Sequence, residues 1–397
     1  MKILSVNCGS SSLKFQMYEM PEEKVLISGY VEKIGQPDCF WNVKVNGQKI
    51  RSERPLKNHT EAVEVLIDEL FKNNIVESLE EIKGVGHRVL HGGEKYADSV
   101  IITEEVIEDI KSLTKLGPLH HPGNLAGIEA LRKVLPNVPM VAVFDTAFHQ
   151  TMPKRNYIYP VPMDWYTKYG VRKYGFHGTS HKYITETMKQ KLGRDNVNLI
   201  ICHIGSGASI TAVKNGVCYD TTMGLTPLDG LMMGTRSGSI DPSILEYVCK
   251  ESGCSIEEVT NDLNKKSGFL GIAGYADCRD VENLVKEGNE NAILAYDLYC
   301  DRIAKYIANY YLELNGQVDS IIFTAGVGEN GFLVRSKVVE LLNPLGIYIN
   351  EDKNNSIASF KDLKEGIISS DESKVEIRVL PTDEEIMIVR DTFELTK

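Results

Sequence analysis

The stretch Ile3-Leu-Ser-Val-Asn-Cys-Gly-Ser-Ser-Ser-Leu-Lys14 can be laid over Leu199-Ile-Ile-Cys-His-Ile-Gly-Ser-Gly-Ala-Ser-Ile210. Asn7 then falls on His203, Gly9 on Gly205 and Ser10 on Ser206, at a constant offset of 196 residues (203 − 7). Each copy reads as strand, Gly/Ser turn, strand. Two unrelated β-hairpins would look the same, and on pattern alone that reading stands level with a duplication. A duplication half a chain apart predicts two similar halves facing each other across a central cleft. The junction between them is expected near residues 146–150, where an apolar run ends and a Pro- and Tyr-rich connection begins.

Outward from these hairpins, strand and helix signals interleave. Asn58–Lys72 spaces Val63, Leu66, Ile67, Leu70 and Phe71 as one helix face. Gly84–Val89 and Met140–Phe144 read as buried strands. Asn291–Leu314 reads as a long amphipathic helix stopped by Asn315-Gly316. Asp319–Thr324 follows as a strand, Ala325–Asn330 as a glycine turn, and Phe332–Leu342 as a helix ending near Pro344. This alternation predicts an α/β protein with mixed sheets flanked by helices.

The chain has 397 residues, 42% of them hydrophobic and 25% charged, which excludes disorder and fibrous repeats. That length suggests two or three domains at roughly 100–200 residues each. A net charge of −11 argues against nucleic acid as a partner, so any bound phosphate needs local cations. Eight cysteines occur without a CxxC pair, as expected for reduced thiols in the cytoplasm. The apolar run Ile3–Val6 is too short for a signal-peptide core, and no run approaches the roughly 18–20 residues of a membrane span.

Several residues could carry chemistry. Gly/Ser turns allow a phosphate chain close to backbone N–H donors. There is no GxxxxGK[ST] loop, but Gly326-Val-Gly-Glu-Asn330 adds a third glycine turn, and together the three suggest a split nucleotide site. Lys14 shares a strand face with Ser12 just past the first turn. His177 and His181 stand four apart without a carboxylate or cysteine to complete a zinc set, which favours structural or phosphate-contacting roles. Arg88, between two histidines, and Arg236, between glycines, suit bidentate contact with carboxylate or phosphate, although a loop arginine is by default a surface residue. Asp145 ends an apolar strand. In Pro381-Thr-Asp-Glu-Glu385, Thr382 reads as a helix cap with Glu385 three residues on, and Glu384 could instead reach Mg2+.

Val6-Asn-Cys-Gly-Ser-Ser-Ser-Leu-Lys14 and Arg172-Lys-Tyr-Gly-Phe-His-Gly-Thr-Ser-His181 together resemble the two signatures of the acetate kinase family. Gly86-His-Arg-Val-Leu-His-Gly-Gly-Glu94, Phe144-Asp-Thr-Ala-Phe-His149, Gly234-Thr-Arg-Ser-Gly-Ser-Ile-Asp-Pro242 and Lys265-Lys-Ser-Gly268 extend the match, in order, to about residue 391. The resemblance implies two ribonuclease-H-like domains of the actin/Hsp70 type. Residues 1–147 plus 382–397 would form an acyl-substrate and metal domain, and residues 148–381 a nucleotide-binding domain. It implies a homodimer that moves the γ-phosphoryl group of ATP to acetate, giving acetyl phosphate and ADP, with Mg2+ or Mn2+ as the ion.

By motif, the resemblance makes Asn7 and Glu384 metal positions and Lys14 an ATP contact. Arg88 matches the carboxylate-binding arginine, Asp145 the catalytic acid, and His177 and Arg236 the transition-state stabilisers. Leu90, Leu119, Phe176 and Pro227 match the acyl pocket. His203, Ile204, Gly205, Ser206 and Gly207, then Asp277, Cys278 and Arg279, then Gly326, Val327, Gly328, Glu329 and Asn330 match the nucleotide segments. Ser206 stands where the family has Asn, Cys278 where it has Phe, and Asp383 where it has Asn. Leu90 is larger than the expected Val, which favours acetate over propionate or butyrate. Acetate, like a Glu side chain, is ionised above about pH 4.3, so Asp145 is expected to orient Mg2+ waters or an arginine and not to act as a base. A non-catalytic module of the actin/Hsp70 type would not need Arg88, Asp145 or His177.

Overall fold

The computed structural model describes residues 1–118 and 120–397; Leu119, expected in the acyl pocket, lies outside the described residues. The chain divides into two compact units. The first comprises Met1–Gln150, Gly178–Ser180 and Asp383–Lys397, and the second Thr151–His177 and His181–Thr382.

The first unit holds a sheet of β1 (Lys2–Cys8), β2 (Ser12–Glu19), β3 (Lys24–Glu32), β4 (Phe40–Val45), β5 (Gln48–Glu53), β6 (Ile82–Val89), β7 (Val100–Ile101) and β8 (Met140–Phe144). Their order is β5, β4, β3, β2, β1, β6, β8, β7. β1 runs antiparallel to β2 and parallel to β6, and β6 runs parallel to β8. The second unit holds β9 (Leu199–Ile204), β10 (Ala208–Lys214), β11 (Val217–Thr221), β12 (Ser320–Thr324), β13 (Gly366–Ile367) and β14 (Glu376–Val379). Their order is β11, β10, β9, β12, β14, β13. In both sheets an antiparallel meander, five strands (β5 to β1) in the first and three (β11 to β9) in the second, is followed by two parallel strands and a short antiparallel one. The repeat is therefore a repeat of topology, and the expected α/β class of duplicated halves with mixed sheets is the class observed.

The duplication has one correction. In the first hairpin Asn7 pairs with Lys14 and Cys8 with Leu13, leaving a loop of four residues, Gly9–Ser12. In the second, His203 pairs with Ser209 and Ile204 with Ala208, leaving three, Gly205–Gly207. The constant offset thus fails by one residue after the turn. The partner of Lys14 in the second copy is Ser209, not Ile210, because a slip of one residue reverses which face a side chain takes.

Alternation decides how each face of the first sheet is used. Leu4, Val6 and Val85 turn to one core with Val63, Leu66 and Leu131 from the helices His59–Lys72 and His121–Val134. Asn58 caps the first of these, its Oδ1 accepting from Glu61 N at 3.1 Å. On the other face lie Ser5, Asn7, Gly86 and Arg88, and the C-terminal helix Glu384–Thr396 packs there. Gly86 makes that approach possible: a Cβ would stand 2.5 Å from Ile388 Cγ2 and closer still to Thr392 Oγ1. Ile388 packs with Val141 and Val143 beside it.

In the second unit β9 and β12 are buried along their whole length, as parallel strands covered on both faces are. The long helix is Glu290–Glu313, capped by Asn289, with Asn315 and Gly316 both left-handed after it. Ala325–Asn330, expected as a turn, is one short helical turn. The eight cysteines are free, six of them buried. Among the described residues no helix is long and apolar enough to cross a membrane.

Candidate active site

Arg88 and Asp145 sit at the ends of β6 and β8, on the face under the C-terminal helix. Asp145 Oδ1 accepts from Arg88 Nε at 3.0 Å and Oδ2 from Nη2 at 2.6 Å. The Asp145 side chain is 1% exposed and that of Arg88 27%. A bidentate fork fixes the guanidinium plane and leaves Nη1 uncommitted. The Asp145 charge raises the already high Arg88 pKa, so the cation is permanent.

Two adjoining cavities share Asn7, Lys14 and Arg88. The smaller, about 200 Å³, is lined also by Gly9, Leu90, His120 and Asn124. The larger, about 430 Å³, reaches Gln16, Glu384 and Glu385. Enclosure raises the Glu384 carboxyl to about 7; Arg88 pulls it down, and Asp145 and Glu385 push it up. The N-cap that sets this helix start is Asp383, whose Oδ1 accepts from Ile386 N at 2.9 Å, and not Thr382 as the pattern suggested.

Asn124 was not evident in the sequence. Its Oδ1 accepts from Leu90 N at 3.2 Å and its Nδ2 donates to Cys8 O at 2.8 Å. It thereby ties the first glycine turn to the strand end carrying Leu90. His59 adds a bond between its Nε2 and Gly9 O at 2.8 Å.

In the second unit Ser209, the counterpart of Lys14, organises the histidines. Its Oγ lies 2.9 Å from His177 Nδ1 and 2.8 Å from His181 Nε2. The His177 ring stacks on His203 with centroids 4.2 Å apart. The His177 backbone is left-handed, φ 58°, a conformation costing a non-glycine residue about 1–3 kcal/mol. The stack and the Ser209 bond hold it there, and among the described residues no cluster for a metal is present. A Cβ on Gly207 would lie 3.5 Å from His177 Nε2 and 3.7 Å from Arg236 Nη1, so both side chains overlook the second glycine turn. Arg236 Nη1 donates to Pro227 O at 3.3 Å. Among the described residues Arg236 forms no ion pair, and burial lowers its pKa. Phe176, adjacent in sequence, is buried.

β9 and β12 are parallel neighbours, Thr324 opposite His203, so the second and third glycine segments emerge side by side. Glu329 Oε1 accepts from Ala325 N at 2.9 Å and Thr382 N at 3.2 Å, and burial raises its pKa. Asn330 Oδ1 accepts from Ser359 N at 2.8 Å. Arg335, fully buried, donates to Gly328 O at 2.9 Å and Glu329 O at 2.8 Å, and to Asn354 Oδ1 at 2.7 Å. It reads as an ordinary helix arginine in sequence, because nothing local announces its partners at Asn354 and Ile357. Asp277 caps its helix through Arg279 N at 2.9 Å and pairs with the Arg279 side chain, which lowers the carboxyl to about 2. Cys278 turns inward, and burial pushes its thiol up to about 12.

The structure therefore gathers Asn7, Lys14, Arg88, Leu90, Asp145 and Glu384 in the first unit. In the second it gathers His177, His203, Gly205, Ser206, Gly207, Pro227 and Arg236, with Gly326–Asn330 in the helical turn that follows the adjoining strand.

The model of the acetokinase family matches residues 2–390. The acetate kinase of Bacillus cytotoxicus is 52% identical over 397 residues, covering 99% of this chain and 98% of that relative. The crystal structure of Porphyromonas gingivalis acetate kinase superposes with a TM-score of 0.93 at 46% identity, covering 100% of both chains. That of a propionate kinase from Francisella tularensis superposes with a TM-score of 0.93 at 42% identity and 99% of both. The chain belongs to the acetokinase family.

Proposed function

We infer that the chain transfers the γ-phosphoryl group of ATP to acetate, reversibly, giving acetyl phosphate and ADP. The observation that carries this reading is Arg88, forked onto Asp145 and lining a cavity of about 200 Å³ with Leu90. A carboxylate oxygen attacks the γ-phosphorus, the bond to the β–γ bridging oxygen breaks, and ADP leaves with its electron pair. No proton moves, since acetate is already an anion at neutral pH.

Arg88 binds the acetate carboxylate. Asp145 acts through it, as a positioning residue, by fixing its plane. Leu90, Phe176 and Pro227 bound the methyl group. Arg236 and His177 stabilise the equatorial oxygens of the moving phosphoryl group, work that is mostly positioning and charge neutralisation. Lys14 and the His203–Gly207 turn hold phosphates, Ser206 through its backbone; Gly326–Asn330 and Asp277–Arg279 flank the nucleoside. Asn7 and Glu384 offer the all-oxygen donors that Mg2+ prefers, with Mn2+ as a substitute. When bound, that ion neutralises phosphate charge.

The first unit is thus the acyl and metal domain and the second the nucleotide domain. The protein is a cytoplasmic homodimer in this reading. The helix Ser243–Ser252 has no buried residue and exposes Ile244, Tyr247 and Val248 on one side, a face suited to a second copy. Light scattering should find a dimer that Tyr247→Lys weakens; an unchanged dimer removes that face from the reading.

An ADP-release assay with acetate, propionate and butyrate, with and without Mg2+, tests the activity. Acetate should lead propionate by about 10-fold or more in kcat/KM. Equal values defeat the acyl assignment, and no ADP with any acid defeats the whole reading.

A further inference from the structure

Residues 224–239 form a loop that carries both Pro227 and Arg236, and its neck is closed by one carboxylate. Asp229 Oδ1 accepts from Ser239 Oγ at 2.6 Å and from Gly230 N at 2.9 Å. Asp229 Oδ2 accepts from Tyr159 OH at 3.2 Å, and the same phenol oxygen accepts from Leu225 N at 3.1 Å. A backbone bond and an arginine side chain complete the closure: Ser239 N donates to Gly230 O at 3.0 Å, and Arg302 Nη1 donates to Ser239 O at 2.8 Å. Among the described residues Asp229 forms no ion pair, so its charge is held by neutral donors alone.

We propose that Asp229 is a positioning residue for Arg236, clasping the ends of its loop through Ser239 and Tyr159. The proposal rests on the reading of Arg236 as a stabiliser of the moving phosphoryl group. Among the described residues no carboxylate orients the arginine, and its Nη1 reaches Pro227 O at 3.3 Å and Met233 Sδ at 3.7 Å. Its direction comes from the loop, whose tip is held to a neighbouring segment, Ser237 N donating to Leu263 O at 3.0 Å and Ser267 N to Thr235 O at 2.9 Å, and whose two ends meet at Asp229. A carboxylate is suited to the clasp because one oxygen can accept from two donors while the other accepts from a third. The sulfur and carbonyl contacts are too weak to aim a guanidinium by themselves. A displacement of about 1 Å in such a group costs about 10²-fold in rate.

The test is steady-state kinetics on Asp229→Ala, Asp229→Asn, Arg236→Ala and the double variant Asp229→Ala/Arg236→Ala, with melting temperatures. Asp229→Ala should lower kcat by about tenfold or more while both KM values stay within about threefold. Asp229→Asn, which keeps an oxygen for Ser239, should recover most of the loss. In the Arg236→Ala background Asp229→Ala should add nothing. Multiplying penalties, or a loss confined to KM or to melting temperature, would overturn the proposal. If Asp229→Ala does not fold, Ser239→Ala and Tyr159→Phe remove the partners singly and must show the same kcat-only signature. A fully active Arg236→Ala would instead sink the underlying reading of Arg236, and the proposal with it.

Discussion

Arg88 uses two of its N–H donors on Asp145 and offers the rest to the cavity; among the described residues Arg236 has no ion-pair partner. The two should fail differently. Arg236→Ala removes transition-state charge stabilisation and should lower kcat roughly 10²–10³-fold. Arg88→Ala should chiefly raise KM for acetate. Comparable, modest effects from both would contradict that division. His87, between Gly86 and Arg88, points the other way, is 2% exposed and, among the described residues, leaves Nε2 without a partner. Burial lowers its pKa to about 3, against about 6.5 when unfolded. The unfolded chain therefore binds the extra proton first. The stability belonging to neutral His87 is complete above about pH 6.5 and is lost as pH falls towards 3. His87→Leu should flatten the fall in melting temperature between pH 6.5 and 4; an unchanged slope would exclude His87 as the cause.

At the scale of elements, the last helix tests how a cap is read. Asp383→Ala should cost about 1 kcal/mol by denaturant unfolding, because it strips the acceptor of Ile386 N, whereas Thr382→Ala should cost less. The reverse ranking would restore Thr382 as the cap. Sequence periodicity was enough to delimit the helices His59–Lys72 and Phe332–Leu342 and the buried strands, because each follows from which side chains face a core. The Gly/Ser turns were legible for the same reason: only strands bracket them. Three features were not. The single-residue difference between the hairpins depends on loop length, which apolar spacing does not encode. Asn124 bonds to Cys8 O and Arg335 to Asn354 and Ile357, partners well separated in the chain, and nothing beside them in sequence marks those partners. Gly326–Asn330 coils into a helical turn because Glu329 reaches back to Ala325 N, a contact that a glycine-rich string conceals.

At the scale of the whole molecule, the first unit is discontinuous: it opens the chain and takes back its end. Ending the chain at Thr382 removes Ile386, Met387, Ile388 and Val389, all buried. Each is worth about 1.5–3 kcal/mol, and together they rival the roughly 5–15 kcal/mol that holds a domain folded. The truncated chain should leave Gly86, Val141 and Val143 facing water and should be recovered aggregated or protease-sensitive within residues 1–150. A truncated chain with an intact, cooperatively melting first unit would refute this account of the C-terminal helix.

The same arrangement bears on biosynthesis. A ribosome delivers the chain from its N-terminus, so β1 and β6 emerge hundreds of residues before the helix Glu384–Thr396 that roofs them. The segment made first is thus the one completed last, while residues 181–382 are all available earlier. Until Glu384–Thr396 has emerged, the nascent half-site around Arg88 waits with one side uncovered.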